Sequence, residues 1–142
     1  MLNKEMSYMQ NSFQWPVRVY YEDTDAGGVV FYANYLKLYE RARTEMLRDM
    51  DFEQDQLITQ ESVIFVVRSV QVDYLKPAKF NDLVVVTAEL SLVKSASLTF
   101  EQIIKRGDDV LSTATIQIAC LDAKFMRPKQ IPDTLKRALS YE

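Results

Sequence analysis

The order of its secondary-structure patterns is what most constrains the fold of this 142-residue chain. One long segment with helical periodicity, residues 32 to about 49, precedes four long segments rich in β-branched residues. Apolar residues recur at every third or fourth position of the helical segment, which predicts one buried face. These residues are Tyr35, Leu38, Tyr39, Ala42, Met46 and Leu47. An antiparallel sheet that curls around a single central helix would bury this face, so the sequence predicts an α+β fold.

About five strands are predicted in total. Before the helix, Val17, Val19 and Tyr21 alternate with polar residues, which is typical of a half-buried strand over residues 17–21. The four later segments predict strands over residues 62–75, 82–94, 96–106 and 109–122. The exposed edges of such a sheet favour edge pairing between two copies of the chain.

The remaining segments are short and are predicted to belong to the same domain as the sheet and the long helix. Short helices are predicted around residues 51–59 and after Pro132. Residues 1–14 are predicted to form a mobile N-terminal arm. The length favours one domain over residues 1–142, because domains commonly contain about 100 to 150 residues.

The composition excludes several classes of function. The chain has no histidine, which removes the commonest general base, every His-dependent triad and the commonest metal ligand. Its net charge of −3 argues against general nucleic-acid binding. The one cysteine, Cys120, lies in an alternating apolar run and is predicted to be a buried, inert thiol. Any catalysis must therefore use carboxylate, tyrosine, lysine or backbone groups, and neither a cofactor nor a metal site is predicted.

The sequence also allows a prediction of where in the cell the protein is found. No apolar run approaches the roughly 18 to 20 residues that span a bilayer, and the first residues lack the apolar region of a signal peptide. These features predict a cytoplasmic protein without membrane insertion.

The stretch YYEDTDAGGVVFYANY, residues 20–35, holds the candidate catalytic groups. Asp25, Gly27 and Gly28 lie between the last strand residue and the first helical residue, where the chain must turn. The start of the following helix presents unpaired N–H groups and a partial positive charge, which can hold an oxyanion. A carboxylate beside it can serve acyl transfer as base or nucleophile. The alternative is that Asp23 and Asp25 are ordinary turn or cap residues.

A longer segment, WPVRVYYEDTDAGGVVFYANYLKLYERARTEML, resembles the Tol-Pal-associated acyl-CoA thioesterases, the YbgC type of the 4-hydroxybenzoyl-CoA thioesterase superfamily. The resemblance continues through FVVRSVQVDYLKPAKFNDLV and SASLTF to PKQIP and covers about residues 15–132. It implies a hot-dog fold and hydrolysis of a CoA thioester to the free acid and CoA. It also implies two protomers joined edge to edge, with active sites at the dimer interface, and we expect a homo-oligomer that is a dimer or a homotetramer of paired dimers.

The resemblance implies roles for two residues of the opening stretch. Asp25 matches the catalytic carboxylate of a D-x-D motif, and Tyr32 matches the residue whose backbone N–H holds the thioester carbonyl. YbgC-type sequences usually carry histidine at the position of Tyr32, whereas the 4-hydroxybenzoyl-CoA branch carries tyrosine. Whether Asp25 attacks the carbonyl directly or activates a water stays open.

Five further residues are predicted to contact the substrate. By their position in the family pattern, Val66 and Val67 are expected to line the pocket near the thioester. Lys94 precedes the junction of two strands, and by resemblance this junction contacts the CoA nucleotide. Ser95 and Ser97 could add hydroxyl or backbone contacts there. The alternative for Lys94 is a solvated hairpin lysine.

Charged residues in apolar surroundings raise a further question. Arg68 alternates with apolar residues and is predicted to share a buried side of its strand with Val66. It would there contact the ligand or pair with an acid across the dimer, because a buried guanidinium needs a partner. Arg41 and Glu45 are spaced for a helical ion pair and, with Arg43, predict a solvated or interface face.

Two other functions are alternatives to thioester hydrolysis. A hot-dog hydratase normally relies on histidine, which this chain lacks. A non-catalytic acyl-CoA-binding or scaffold protein of the same fold would retain the pocket without turnover. The resemblance also suggests Tol-Pal-linked or lipid-synthesis proteins as partners, while the acyl group cannot be read from the sequence.

Overall fold

The computed structural model describes residues 12–140. Five strands form one antiparallel sheet in the order β1-β3-β4-β5-β2. The strands are β1 (Phe13–Arg18), β2 (Val63–Tyr74), β3 (Leu83–Val93), β4 (Ser97–Arg106) and β5 (Asp109–Asp122). The helices are α1 (Tyr32–Asp49), α2 (Gln54–Glu61) and α3 (Asp133–Ser140). This sheet with one long helix confirms the predicted α+β class.

Helix α1 has the bounds that the periodicity predicts, and its apolar stripe is buried as expected. The stripe packs on the apolar face of the sheet, whose buried residues include Leu98, Phe100, Ile104 and Ile116. Each large apolar side chain buried in this way contributes about 1.5 to 3 kcal/mol to the free energy of folding. The hydroxyl of Tyr39 also donates to Oγ of Ser112 at 2.6 Å, which ties the helix to β5.

The first strand differs from the prediction. It begins at Phe13 and ends at Arg18, while Tyr21 starts a 3₁₀ turn and is 75% exposed. Because β1 is an edge strand, Pro16 can lie within it without a lost ladder hydrogen bond. Most of the predicted arm lies outside the described residues, but Phe13 and Gln14 belong to β1 and not to an arm.

Strand β2 contains a bulge that the sequence pattern does not reveal. Val67 pairs with Ile118 and Ser69 pairs with Gln117, so Arg68 is an extra residue in the ladder. A bulge shifts the alternation of side chains by one position. The prediction that Arg68 shares a buried side with Val66 is therefore wrong, and Arg68 is exposed.

The other predicted strands are confirmed to within one residue at each end, and a short helix follows Pro132 as expected. Helix α2 begins at Gln54, three residues later than the sequence predicts. Cys120 is fully buried, and burial raises the pKa of its thiol to about 11, as expected for an inert thiol.

The outer face of the sheet is polar. Glu89 of β3 lies directly opposite Glu101 of β4, in a row that continues through Thr115 to Gln71. One carboxylate oxygen of Glu89 is buried without a hydrogen bond to the described residues. Desolvation, and then the neighbouring charge of Glu101, raise the pKa of Glu89 above its ordinary value of 4.5. The ionised form of Glu89 is therefore disfavoured in the folded state.

We expect Glu89→Gln to increase the free energy of unfolding at pH 7, because it removes a carboxylate whose ionisation opposes folding. The gain should disappear as the pH falls below about 4, where Glu89 is protonated in both the folded and the unfolded state. Urea denaturation at both pH values measures the effect, with the exposed Glu61→Gln as control. An equal gain at both pH values would contradict this account of Glu89.

Candidate active site

Asp23 forms hydrogen bonds to both ends of the connection between β1 and α1. The Asp23 side chain accepts the N–H of Tyr20 at 2.9 Å. Its backbone carbonyl accepts both the N–H of Phe31, at 3.1 Å, and the side-chain amide of Asn34, at 2.9 Å. Asp23 thus joins the entry of the loop to the start of the helix, which is a structural role.

Asp25 begins a tight turn inside this loop. Its N–H bonds to the carbonyl of Val29 at 2.9 Å, and its carbonyl accepts the N–H of Gly28 at 3.0 Å. Gly28 has a φ of 79°, in the left-handed region that favours glycine. The Asp25 carboxylate accepts the N–H of Gly27 at 2.8 Å and makes no other hydrogen bond within residues 12–140. Asp25 is exposed, so its carboxylate is both oriented by the turn and accessible.

The helix start beside this turn carries no side-chain cap. Phe31 occupies the N-cap position and makes no capping hydrogen bond, and Tyr32 is the first helical residue. The N–H of Asn34 bonds to the carbonyl of Phe31 at 2.8 Å. In the described part of the chain, the N–H groups of Tyr32 and Ala33 have no hydrogen-bond partner. This helix start can therefore accept an oxygen ligand.

Aromatic side chains surround the helix start. The hydroxyl of Tyr74, the last residue of β2, donates to the carbonyl of Tyr32 at 3.2 Å. The Tyr74 ring also packs edge-on against Tyr35, with 5.1 Å between centroids, and burial raises the pKa of Tyr74. Tyr21 stacks on Phe80 at 3.8 Å and is widely exposed. Tyr74 was not among the predicted site residues, and its only signal in the sequence is its place at the end of a predicted strand.

A second group of predicted residues lies elsewhere on the sheet. Val66 and Ser97 both pair with Ala119, which places them on one face about 10 Å apart. The N–H of Lys94 bonds to the carbonyl of Ser97 at 2.9 Å, and the carbonyl of Ser95 accepts the N–H of Ile131 at 2.8 Å. Lys94 and Ser95 are exposed in the β3–β4 turn.

Within one chain, the group at the helix start and the group around Val66 lie far apart. Tyr74 touches the helix start beside Asp25, whereas Val66 lies eight residues earlier on the same strand. Eight residues of extended chain span about 26 Å. The predicted site is therefore divided between two ends of β2.

The position of Arg43 differs from the predicted solvated or interface face of α1. Arg43 is 8% exposed and lines a cavity of about 100 Å³ together with Val67, so it does not lie on a solvated face. Its spacing of four residues after Tyr39 and three before Met46 places it in the buried stripe, a signal that was present in the sequence. The helical ion pair predicted between Arg41 and Glu45 is not formed, because Glu45 pairs with Arg48.

A larger depression of about 640 Å³ lies on the outer face of the sheet. Asp73, Glu89 and Glu101 line it, and this negative charge disfavours a phosphorylated ligand such as CoA.

Within residues 12–140, no cluster of acidic and cysteine side chains could hold a metal ion. Among the described helices, none has the length and apolar character needed to cross a membrane.

Comparisons with known proteins identify the class. A profile of the thioesterase superfamily matches residues 27–113. The structure of a probable thioesterase from Bartonella henselae has a TM-score of 0.82 and 34% identity, and covers 85% of this chain and 99% of that chain. A 1,4-dihydroxy-2-naphthoyl-CoA thioesterase from Synechocystis, at 18% identity and a TM-score of 0.84, covers 92% and 96% and shares the fold. The chain belongs to the thioesterase superfamily and has its hot-dog fold.

Curated relatives narrow the group within that superfamily. The acyl-CoA thioesterase YbgC of Haemophilus influenzae is 47% identical over 133 residues, which are 94% of this chain and 98% of that protein. The acyl-CoA thioester hydrolase YbgC of Escherichia coli O157:H7 is 45% identical over 124 residues, or 87% and 92%. The resemblance to the YbgC type seen in the sequence is confirmed.

We expect Gly28→Ala to lower the free energy of unfolding by about 1 kcal/mol, because alanine resists the positive φ of this turn. An added Cβ would meet no atom within 4 Å, so the cost is conformational and not steric. Urea denaturation measures the loss. The control is Gly28→Asn, which tolerates the left-handed region and should lose less. Full stability of Gly28→Ala would contradict the role of this turn.

Proposed function

We propose that the protein hydrolyses acyl-CoA thioesters, with Asp25 as the catalytic carboxylate and the start of α1 as the oxyanion site. The observation that supports this most is the exposed Asp25 carboxylate, oriented by Gly27 beside a helix start without a side-chain cap. The names of the YbgC relatives point to the same activity.

The reaction needs two contributions from these residues. The Tyr32 N–H donates to the carbonyl oxygen as negative charge develops on it. In one route Asp25 removes a proton from a water that attacks the carbonyl carbon. In the other, Asp25 attacks the carbon itself, and water then hydrolyses the mixed anhydride. In both routes the C–S bond breaks, CoA leaves as a thiolate that takes up a proton, and the acid is released.

The division of the site along β2 supports a dimer. Strand β2 is a 12-residue edge strand with exposed apolar side chains at Val67, Val70 and Tyr74, which is typical of a surface that pairs with another chain. Antiparallel pairing of two β2 edges about an axis near Val70 would place Tyr74 and the Asp25 turn beside Val66 of the partner subunit. The site would then contain residues from both protomers. A tetramer and Tol-Pal-linked partners stay predictions.

The predicted CoA contacts fit this arrangement. Lys94 lies in an exposed turn whose backbone contacts β4 and the segment before α3. Its ammonium group would bind a phosphate of CoA, with Ser95 and Ser97 as hydroxyl or backbone partners. The exposed Arg68 would contact the ligand or the partner chain beside Val66 and Val67.

Asp25→Asn tests the catalytic proposal. Asparagine can accept the Gly27 N–H and keep the turn, but it can act neither as a base nor as an effective nucleophile. We expect kcat/KM for acyl-CoA to fall by about 100- to 10,000-fold with little change in the free energy of unfolding. Asp25→Ala should lose both activity and the turn hydrogen bond. Activity of Asp25→Asn near wild type would reject the mechanism, and acyl-CoA binding without turnover by the wild type would favour the binding protein.

Tyr32→Pro tests the backbone donor. Proline has no N–H and is tolerated at the first helical position. The preceding residue, Phe31, has φ −60° and ψ 133°, which is compatible with a following proline. We expect kcat to fall by about 100- to 1000-fold in a folded protein. Tyr32→Ala retains the N–H and should keep most of the activity; equal losses in both variants would argue against the backbone role.

A further inference from the structure

A small cavity lies between α1 and the first half of β2. Its volume is about 100 Å³, close to the volume of three water molecules in the liquid. Its apolar walls are Leu47, Phe65, Val67, Leu98, Phe100 and Ile118. Val67 is 50% exposed on the edge strand, so the cavity lies next to the proposed dimer surface.

The cavity has one buried cation in its wall. The Nη1 of Arg43 donates to the side-chain carbonyl of Gln102 at 3.0 Å. The amide nitrogen of Gln102 donates in turn to the carbonyls of Tyr39 and Thr87, at 3.1 and 3.0 Å, which sets the orientation of Gln102. Within residues 12–140, Arg43 forms no ion pair and no further hydrogen bond. A guanidinium has five N–H donors, so most of them lack a protein partner here.

The acid in the cavity lining, Glu40, does not pair directly with Arg43. The hydroxyl of Thr44 donates to Glu40 at 3.2 Å and accepts from Gln54 at 2.9 Å. Glu40 is exposed and forms no ion pair with Arg43. Burial lowers the pKa of Arg43 to about 10, with opposition from Glu40, so the guanidinium is charged at neutral pH. A buried charge without a directly paired counter-charge is costly. Within residues 12–140 only the exposed Glu40 attracts Arg43, and it does so without an ion pair, which indicates a binding role for an anion.

We propose that this cavity binds the far end of the acyl group and that this end carries a carboxylate, which pairs with Arg43. The inference rests on the proposed thioesterase function and names its substrate class, a short dicarboxylic acyl-CoA. The apolar walls suit the methylene groups, and the planar guanidinium suits a carboxylate bound through two oxygens. The cavity has room for a carboxylate and one or two carbons, and is too small for the nucleotide of CoA.

The position of Arg43 indicates which catalytic carboxylate the cavity serves. Arg43 lies 11 residues after Tyr32 on α1, which corresponds to about 16 Å along the helix. The Asp25 turn of the same chain is therefore remote from the cavity. In the proposed dimer, Asp25 of the partner subunit lies near the first half of β2, where Val67 borders the cavity.

The test compares glutaryl-CoA with valeryl-CoA, which have five-carbon acyl chains with and without a terminal carboxylate. We expect the wild type to show at least tenfold higher kcat/KM for glutaryl-CoA. Arg43→Met should lower kcat/KM for glutaryl-CoA at least tenfold and leave valeryl-CoA within about threefold. Arg41→Met, an exposed arginine on the same helix, should change neither substrate. Circular dichroism and thermal unfolding show whether each variant is folded.

Other outcomes separate this inference from the proposed function. Hydrolysis of valeryl-CoA at equal or higher kcat/KM in the wild type, or an equal loss of both substrates in folded Arg43→Met, would overturn the inference and leave the thioesterase intact. If Arg43→Met does not fold, the neutral Arg43→Gln replaces it: a lower glutaryl-to-valeryl ratio of kcat/KM supports the inference, and an unchanged ratio overturns it. If the wild type hydrolyses neither these two substrates nor any other in a panel of aliphatic and aromatic acyl-CoAs, the proposed function fails, and calorimetric binding of glutaryl-CoA and valeryl-CoA to the wild type then decides on the inference. Tighter binding of glutaryl-CoA that Arg43→Met abolishes would support the inference, and equal affinity would overturn it.

Discussion

Burial of one face of α1 against the sheet is the interaction on which the other features of this protein depend. The apolar stripe of the helix, from Tyr35 to Leu47, forms one buried core with the apolar face of the sheet. Once that stripe is buried, the start of the helix is held at one end of the sheet. The loop is tied to this helix start through the Asp23 carbonyl, which accepts hydrogen bonds from Phe31 and Asn34, so the Asp25 turn lies in a loop that is fixed to the start of α1. The geometry of the candidate site therefore follows from core packing.

The same packing also buries polar side chains, among them Arg43 in the wall of the cavity. Arg43 is buried because it lies in the apolar stripe of α1, and its guanidinium donates a hydrogen bond to Gln102 of β4. Such a network requires hydrogen bonds for every member, because unpaired polar groups are costly away from water. The bonds of Gln102 to two backbone carbonyls meet that requirement for the amide, whereas the guanidinium forms no ion pair within residues 12–140. In the described part of the chain, Arg43 therefore uses one of its five N–H donors in a hydrogen bond, to Gln102.

Sequence patterns predicted the regular elements well and the irregular ones poorly. The bounds of α1 and of strands β2 to β5 follow from local periodicity, because side-chain burial alternates with the period of each element. The start of β1 at Phe13 depends on pairing with β3, which lies about 70 residues later, and this partner is not visible in the local pattern. The bulge at Arg68 likewise depends on the register between β2 and β5. The candidate residues Asp25 and Tyr32 were found from composition and resemblance, while Tyr74 was not.

By itself, the sequence determined the fold class, the turn between Asp25 and Gly28, and the absence of histidine chemistry. These properties reside in residue types and short-range spacing. Only the tertiary structure decided that the helix start after the Asp25 turn contacts the end of β2 remote from Val66, and that Arg43 lines a cavity. The reason is physical: the distance between residues far apart in the chain is set by strand pairing and core packing. Neither is encoded in any single segment.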